Sequence, residues 1–315
     1  MFRSILVPLD GSAYSEQALD LASWVARQAD ATVELCHVHH VSDPAFPGSV
    51  VEDETAVLSH LREYLGVLCR RLAHRLDRPV KHRIAEGSPV TGLIAVAREA
   101  KADLIVLTTH GHGGVAHAWL GATAEALARQ AGTPLLLTRP TVRVAPEQRI
   151  RRVLIPLDGS RTAEAALDPA LHLVRLAGAA VRLVAVVELP VQLPAPPGGE
   201  PVLLHGAVDP EERRARAREY LDGVAAGLSS RAVDVDVEIR DAISPATAIL
   251  QASVEFGADA IAMATHGRSR LSRPAVGSVS DKVIRAAGVP VLLVPSRAVE
   301  ASRPRRGMAQ AAAGA

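Results

Sequence analysis

The sequence predicts an α/β protein of two tandem domains, each a five-stranded parallel sheet with helices on both faces. Two observations carry this prediction. The first is a duplication. Ile5-Leu6-Val7-Pro8-Leu9-Asp10-Gly11-Ser12 returns as Val153-Leu154-Ile155-Pro156-Leu157-Asp158-Gly159-Ser160, Thr109-His110-Gly111 as Thr265-His266-Gly267, and Ala131-Gly132-Thr133-Pro134 as Ala287-Gly288-Val289-Pro290. The landmarks keep their order. Their offset drifts only from 148 residues (Ile5 to Val153) to 156 (Thr109 to Thr265), too long a period for a solenoid. The second is that each copy alternates short apolar runs with helical apolar patterns, the signature of a parallel sheet joined by right-handed helical crossovers.

In the first copy, Ile5 to Leu9 reads as a buried strand. Ala18, Leu21, Ala22, Val25 and Ala29 place one helix over Ser15 to Ala29, and Thr32 to Val38 is a second strand. Leu58, Leu61, Leu65, Leu68, Leu72 and Leu76 recur at three and four residues, along one face of a long helix. Val80 to Ala85 is a third strand, and Ser88-Pro89 starts a helix with serine as cap and proline at its first position. Leu104 to Thr108 and Pro134 to Thr138 are the fourth and fifth strands, with a helix starting near Gly121 between them. The second copy repeats this at 152–157, 181–187, 233–239, 259–264 and 290–294, with Ser244-Pro245 at the matching helix start. Domains are expected over 1–140 and 151–296, with a linker over 141–150 and a disordered tail over 297–315. Leu189 to Val208, holding Pro190, Pro194, Pro196, Pro197, Gly198, Gly199 and Pro201, is expected to lack regular structure. It follows the second strand of copy two, where either a flap over a site or a solvated connection fits.

A chain of 315 residues can bury two cores, and 48% hydrophobic with 22% charged residues is an ordinary soluble composition. A formal net charge of +1 provides no general field for nucleic acid or membrane, and 3% aromatic residues argue against stacked single strands. Cys36 and Cys69 make neither a metal-ligand spacing nor a disulfide framework, so reduced, buried thiols are expected. The start of the chain lacks a signal-peptide pattern and no apolar run reaches membrane-spanning length, so a cytoplasmic location is expected.

Three loops converge at the carboxyl edge of each predicted sheet. Asp10-Gly11-Ser12 and Asp158-Gly159-Ser160 can offer a carboxylate to a ligand hydroxyl or amine, or form a plain turn with a serine cap. In copy two, Thr265-His266-Gly267 is followed by Arg268, Arg270 and Arg273 and then by Gly277-Ser278 at a helix start. Glycines let the backbone approach an anion, the helix start adds free N–H groups and a dipole, Ser278 adds a hydroxyl, and the arginines add charge. This suits phosphate groups. It is not a Walker A loop or the dinucleotide fingerprint. His37, His39, His40, His110, His112 and His117 gather near one edge of copy one, but no carboxylate or thiol completes a metal spacing, and no metal site is assigned.

The pattern resembles the universal stress protein family, whose nucleotide-binding members carry Gly-x2-Gly-x9-Gly-Ser/Thr after strand four. Copy two reads Ala264-x2-Gly267-x9-Gly277-Ser278, and copy one Thr108-x2-Gly111-x9-Gly121-Ala122. The resemblance covers nearly all the chain outside the linker and tail. It implies a Rossmann-like, adenine nucleotide alpha hydrolase-like fold that binds ATP, ADP or AMP, with Mg2+ as a companion ion. It also implies association through last strands and a part in stress tolerance. Carried over, Pro8, Asp10, Pro156, Leu157 and Asp158 would face the adenosine, while Gly111, Gly121, Gly267, Arg268, Gly277, Ser278 and Val279 would surround the phosphates.

Ala122 lacks the hydroxyl that Ser278 supplies, and His112 stands where copy two has Arg268, so nucleotide is expected in copy two. Copy one is then either a weaker site or a structural partner. A regulatory binding module is preferred to a slow ATPase or phosphotransferase, because neither copy shows a paired carboxylate motif near the glycine loop. The final strands, Leu135–Thr138 and Val291–Val294, are the expected pairing edges, within one molecule or between two chains.

Overall fold

The computed structural model describes residues 2–39, 54–109, 120–140, 150–189, 191–193, 202–204, 209–265 and 276–295. The first copy runs β1 (Ser4–Pro8), α1 (Ala13–Glu16), α2 (Ala18–Ala29), β2 (Thr32–His39), α3 (Glu54–Leu76), β3 (Lys81–Glu86), α4 (Pro89–Glu99), β4 (Leu104–Thr108), α5 (Ala122–Gln130) and β5 (Leu135–Thr138). The second runs β6 (Arg152–Pro156), α6 (Arg161–Glu164), α7 (Leu167–Ala177), β7 (Ala180–Glu188), β8 (Val191–Leu193), β9 (Val202–Leu204), α8 (Pro210–Ser229), β10 (Val235–Ala242), α9 (Pro245–Phe256), β11 (Ala260–Ala264), α10 (Ser278–Ala286) and β12 (Val291–Val294).

The strands form one ten-stranded sheet ordered β10-β7-β6-β11-β12-β5-β4-β1-β2-β3. Each half is parallel, and the halves meet where β12 pairs antiparallel with β5, Leu292 opposite Leu136. Strand alternation explains the two layers. Ile5 and Val7 enter one hydrophobic cluster while Leu6 enters the other, and Val153 and Ile155 separate from Leu154 in the same way. α2, α3, α7 and α8 cover the first face, and α4, α5, α9 and α10 cover the second. The first cluster runs through both copies without interruption, including Leu136 and Leu292 at the seam. Leu61, Leu65, Leu68, Leu72 and Leu76 of α3 are buried as their spacing predicts, and full burial of each such side chain contributes roughly 1.5–3 kcal/mol.

Three expectations need correction. The helix expected over Ser15 to Ala29 is divided into α1 and α2, because Gln17 N–H bonds back three residues to Tyr14 O and tightens the turn. The segment 189–208 is not wholly irregular: β8 and β9 pair antiparallel, Val191 opposite Leu204. Its two strand triplets, Val191–Leu193 and Val202–Leu204, hold no proline, so each can donate to a ladder that the intervening prolines cannot join. Ser88 sits at the cap position of α4 without a side-chain bond to the helix, whereas Ser244 Oγ accepts from Thr247 N–H at 3.4 Å. The linker over 141–149 and the tail lie outside the described residues.

Comparing the copies exposes a local cost. Gly257 ends α9 in the left-handed conformation (φ +63°), and the matching residue after α4 is Lys101 at φ +50°. A side chain with a Cβ costs about 1–2 kcal/mol there. Lys101→Gly is therefore expected to raise stability by about 1 kcal/mol, read by urea denaturation.

Both cysteines are buried and free. Burial, with Glu34 nearby, pushes the Cys36 thiol up to about 12, and burial pushes Cys69 up to about 11. Because the thiolate is the nucleophile, raised values leave both groups neutral at pH 8. Alkylation of the native protein by iodoacetamide at pH 8 should be slow, and should become fast in denaturant.

Candidate functional site

The strand-one loops are built alike. Gly11 and Gly159 adopt φ +84° and +80°, which turns the chain sharply after each aspartate. Oδ1 of Asp10 then accepts from Ser12 N–H at 3.0 Å, and Oδ1 of Asp158 from Ser160 N–H at 3.0 Å. Each serine caps the next short helix: Ser12 Oγ accepts from Ser15 N–H, and Ser160 Oγ from Ala163 N–H, both at 3.1 Å. The turn with a serine cap is present in both copies. The turn fixes the carboxylate, and Asp158 also lines a cleft.

The helix start after strand four is also duplicated. Gly121 N–H donates to Thr109 O and Gly277 N–H to Thr265 O, each at 2.7 Å. That bond ties the first turn of α5 or α10 to the end of the neighbouring strand. The first intrahelical bond of α10 is Asp281 N–H to Gly277 O, so Ser278, Val279 and Ser280 carry N–H groups with no carbonyl inside the helix to accept them. Ser280 Oγ donates to Ala264 O at 2.9 Å, a second tie between α10 and β11.

In copy two these parts surround a cleft of about 730 Å³. Pro156, Leu157 and Asp158 form its edge over β6, and Gly277, Ser278 and Val279 its edge over β11. Val184, Ala185, Val186 and Val187 of β7 line it as well, with Ile249 and Met263. The cleft lies at β6, where the chain passes first to β7 on one side and later to β11 on the other. This is the switch point at which open α/β sheets bind ligands. Its volume is within the range of small-molecule sites. Gly267 and Arg268 of copy two, and Gly111 of copy one, lie outside the described residues, as do Arg270, Arg273, His266, His40, His110, His112 and His117.

The sequence matches the model of the Universal stress protein family twice, over residues 1–139 and 149–295. The chain belongs to the universal stress protein family. It is 28% identical over 308 residues to a universal stress protein of Mycobacterium tuberculosis (strain ATCC 25618 / H37Rv), covering 92% of this chain and 96% of that protein. It is 29% identical over 306 residues to one of Mycolicibacterium smegmatis, covering 93% and 97%. The crystal structure of a universal stress protein from Archaeoglobus fulgidus DSM 4304 matches with a TM-score of 0.70 at 19% identity, covering 93% of this chain and 98% of that one. At that identity the likeness concerns the fold. Two tandem universal stress protein domains of α/β architecture are thereby shown.

Within this family member the two copies differ where the cleft is lined. Ala185 of β7 corresponds to His37 of β2, which is buried and bonds through Nδ1 to Leu9 O at 2.9 Å. A carbonyl only accepts, so Nδ1 carries the proton. The imidazole thus braces strand one in copy one, whereas copy two has a methyl group. Ser280 and Ala264 of copy two correspond to Ala124 and Thr108, so the serine tie from α10 to β11 has no counterpart hydroxyl on α5. Among the described residues, no three His, Cys, Asp or Glu side chains gather as a metal site.

Sequence reasoning missed the contribution of α8, which brings Arg213, Arg216, Ala217 and Tyr220 to the cleft. A signal existed in the duplication. Tyr64 Oη donates to Glu16 Oε1 at 3.1 Å, and Tyr220 Oη donates to Glu164 Oε1 at 3.0 Å. Burial and the Glu16 carboxylate push the Tyr64 phenol well above its usual range. Arg75 likewise pairs with Asp20 as Arg231 pairs with Asp168. These pairs align α3 with α8 and put Val57 and His60 opposite Arg213 and Arg216.

Proposed function

We propose that the chain is a nucleotide-binding regulatory module of the stress response, taking ATP, ADP or AMP in the cleft of its second domain. The observation that carries this reading is the cleft itself: one apolar strand, one fixed carboxylate and one helix start, whose first N–H groups have no acceptor inside the helix, converge on a single space. The N–H groups of Ser278, Val279 and Ser280 and the α10 dipole suit phosphates, with the Ser278 hydroxyl adding a donor. Asp158 suits the ribose hydroxyls, and β7 gives the base an apolar floor. Gly267 and Arg268 complete the phosphate side in this reading. Pro8, Asp10, Gly111 and Gly121 form the equivalent but weaker site, where His37 takes the room left by Ala185. Asp158 is the residue that would hold Mg2+ with the phosphates, and the ion would neutralise charge.

Domains over 1–140 and 151–296, in a cytoplasmic protein, complete the proposal; no helix among the described residues is long and apolar enough to cross a membrane. The β5–β12 seam lets the two domains pair within one chain, so ligand in one can bias the other through the sheet they share. Calorimetric titration with ATP, ADP and AMP tests the reading: binding at micromolar to submillimolar ligand is expected, and no heat at millimolar concentrations of all three would sink it. Phosphate release from ATP that is lost in Asp158→Ala at retained affinity would favour the slow ATPase instead.

A further inference from the structure

Among the described residues, Arg213 is placed unlike any other arginine. Its Nη1 donates to Glu188 O, the last carbonyl of β7, at 2.9 Å, which holds the guanidinium over the end of that strand. Its Nε is buried and has no hydrogen-bond partner among the described residues. A buried donor left unpaired is costly, so the group is arranged for an acceptor that none of the described residues supplies there. The side chain lines the cleft.

Its position along the cleft follows from the sheet. The start of α10 is tied to the end of β11, and Arg213 to the end of β7; β6 lies between them. Two strand spacings separate these anchors by about 10 Å. An anion held at α10 therefore leaves Arg213 near the other end of the ligand, beside the apolar floor of Val184 to Val187. For a nucleotide with its phosphates at α10, that end is the base. Arg216 is a different case. It is exposed and paired with Glu212 one turn away. Copy one has Val57 in place of Arg213 and cannot make the contact.

Resting on the nucleotide reading above, we propose that Arg213 is a specificity-determining residue that recognises the base. Its Nε–H donates to a ring-nitrogen acceptor on the edge of the bound purine, while Nη1 stays anchored on Glu188 O. The contact is charge-assisted and buried, so its loss lowers affinity by about tenfold or more. It concerns the base alone and leaves phosphate binding untouched.

The test compares ATP with inorganic tripolyphosphate, which has the anion and no base, by calorimetry, the weaker ligand being measured by displacement of ATP. In Arg213→Gln, ATP affinity is expected to fall about tenfold while tripolyphosphate affinity stays within about a factor of two. Arg213→Lys keeps the charge and the stem but loses Nε–H, and is expected to lose ATP to the same degree. It serves alone should the glutamine variant fail to fold. Arg98→Gln, at an exposed arginine on α4 outside the cleft, is expected to leave both ligands unchanged. An equal fall for both ligands in Arg213→Gln would reduce Arg213 to a general electrostatic contributor and overturn the proposal, as would unchanged ATP affinity in Arg213→Lys. Wild-type protein that binds neither ligand would instead remove the nucleotide reading itself.

Discussion

Gly277→Asp is expected to abolish high-affinity ATP binding while leaving the fold intact. Gly277 caps α10 with φ −57° and ψ 147°, backbone angles open to any residue, and aspartate is among the best N-caps. The new carboxylate would accept from the N–H groups of Val279 or Ser280, the same donors assigned to phosphate. It would also put a negative charge where the ligand's anion belongs. Losing two charge-assisted bonds costs roughly 3–6 kcal/mol, or about two to four decades of affinity. Gly121→Asp makes the same change at the start of α5, where Gly121 has φ −55° and ψ 143°. It should leave the principal ATP affinity within about a factor of two, since Gly121 belongs to the first copy and lines no part of the second cleft. Calorimetry on the two variants decides the matter, with melting curves to check that both fold. Equal losses would contradict the asymmetry between the copies.

Leu292→Asp is expected to have the largest effect on stability. Leu292 is 0% exposed, sits in the middle of β12 opposite Leu136, and belongs to the hydrophobic cluster that runs through both copies. A carboxylate there loses its hydration without gaining a partner, at a cost of several kcal/mol even if it is protonated. For a chain of this size, we expect a fall in melting temperature of about 10 °C or more. Val254→Asp, at a residue 81% exposed on α9, should change it by only a degree or two. A Leu292→Asp protein that melts with the wild type would show that the seam contributes nothing to the stability of the sheet.

The strands were legible because each buried one is an apolar run bounded by Pro, Gly or Asp, and the duplication allowed every run to be read twice. Gln17, where α1 meets α2, was not legible, since a hydrogen bond back three residues leaves the apolar spacing unbroken. The β8–β9 pair was hidden because six of the eight residues between the two triplets are proline or glycine, and composition cannot show that Val191 would face Leu204. In the cleft, Asp158, Gly277 and Ser278 were readable as motifs. Arg213, Tyr220 and Ser280 were not, because their role depends on which helix face meets which strand end. His37, one of six histidines to which no metal was assigned, was not legible as a brace either: strand alternation turns it inward, onto Leu9 O.

The most direct test of the central claim is the crystal structure of the full chain grown with ATP. ATP is expected in the second copy, with phosphates on the N–H groups of Ser278 to Ser280, ribose at Asp158 and base over β7. Nucleotide bound in the first copy while the second stays empty, or held outside both clefts, would contradict that claim.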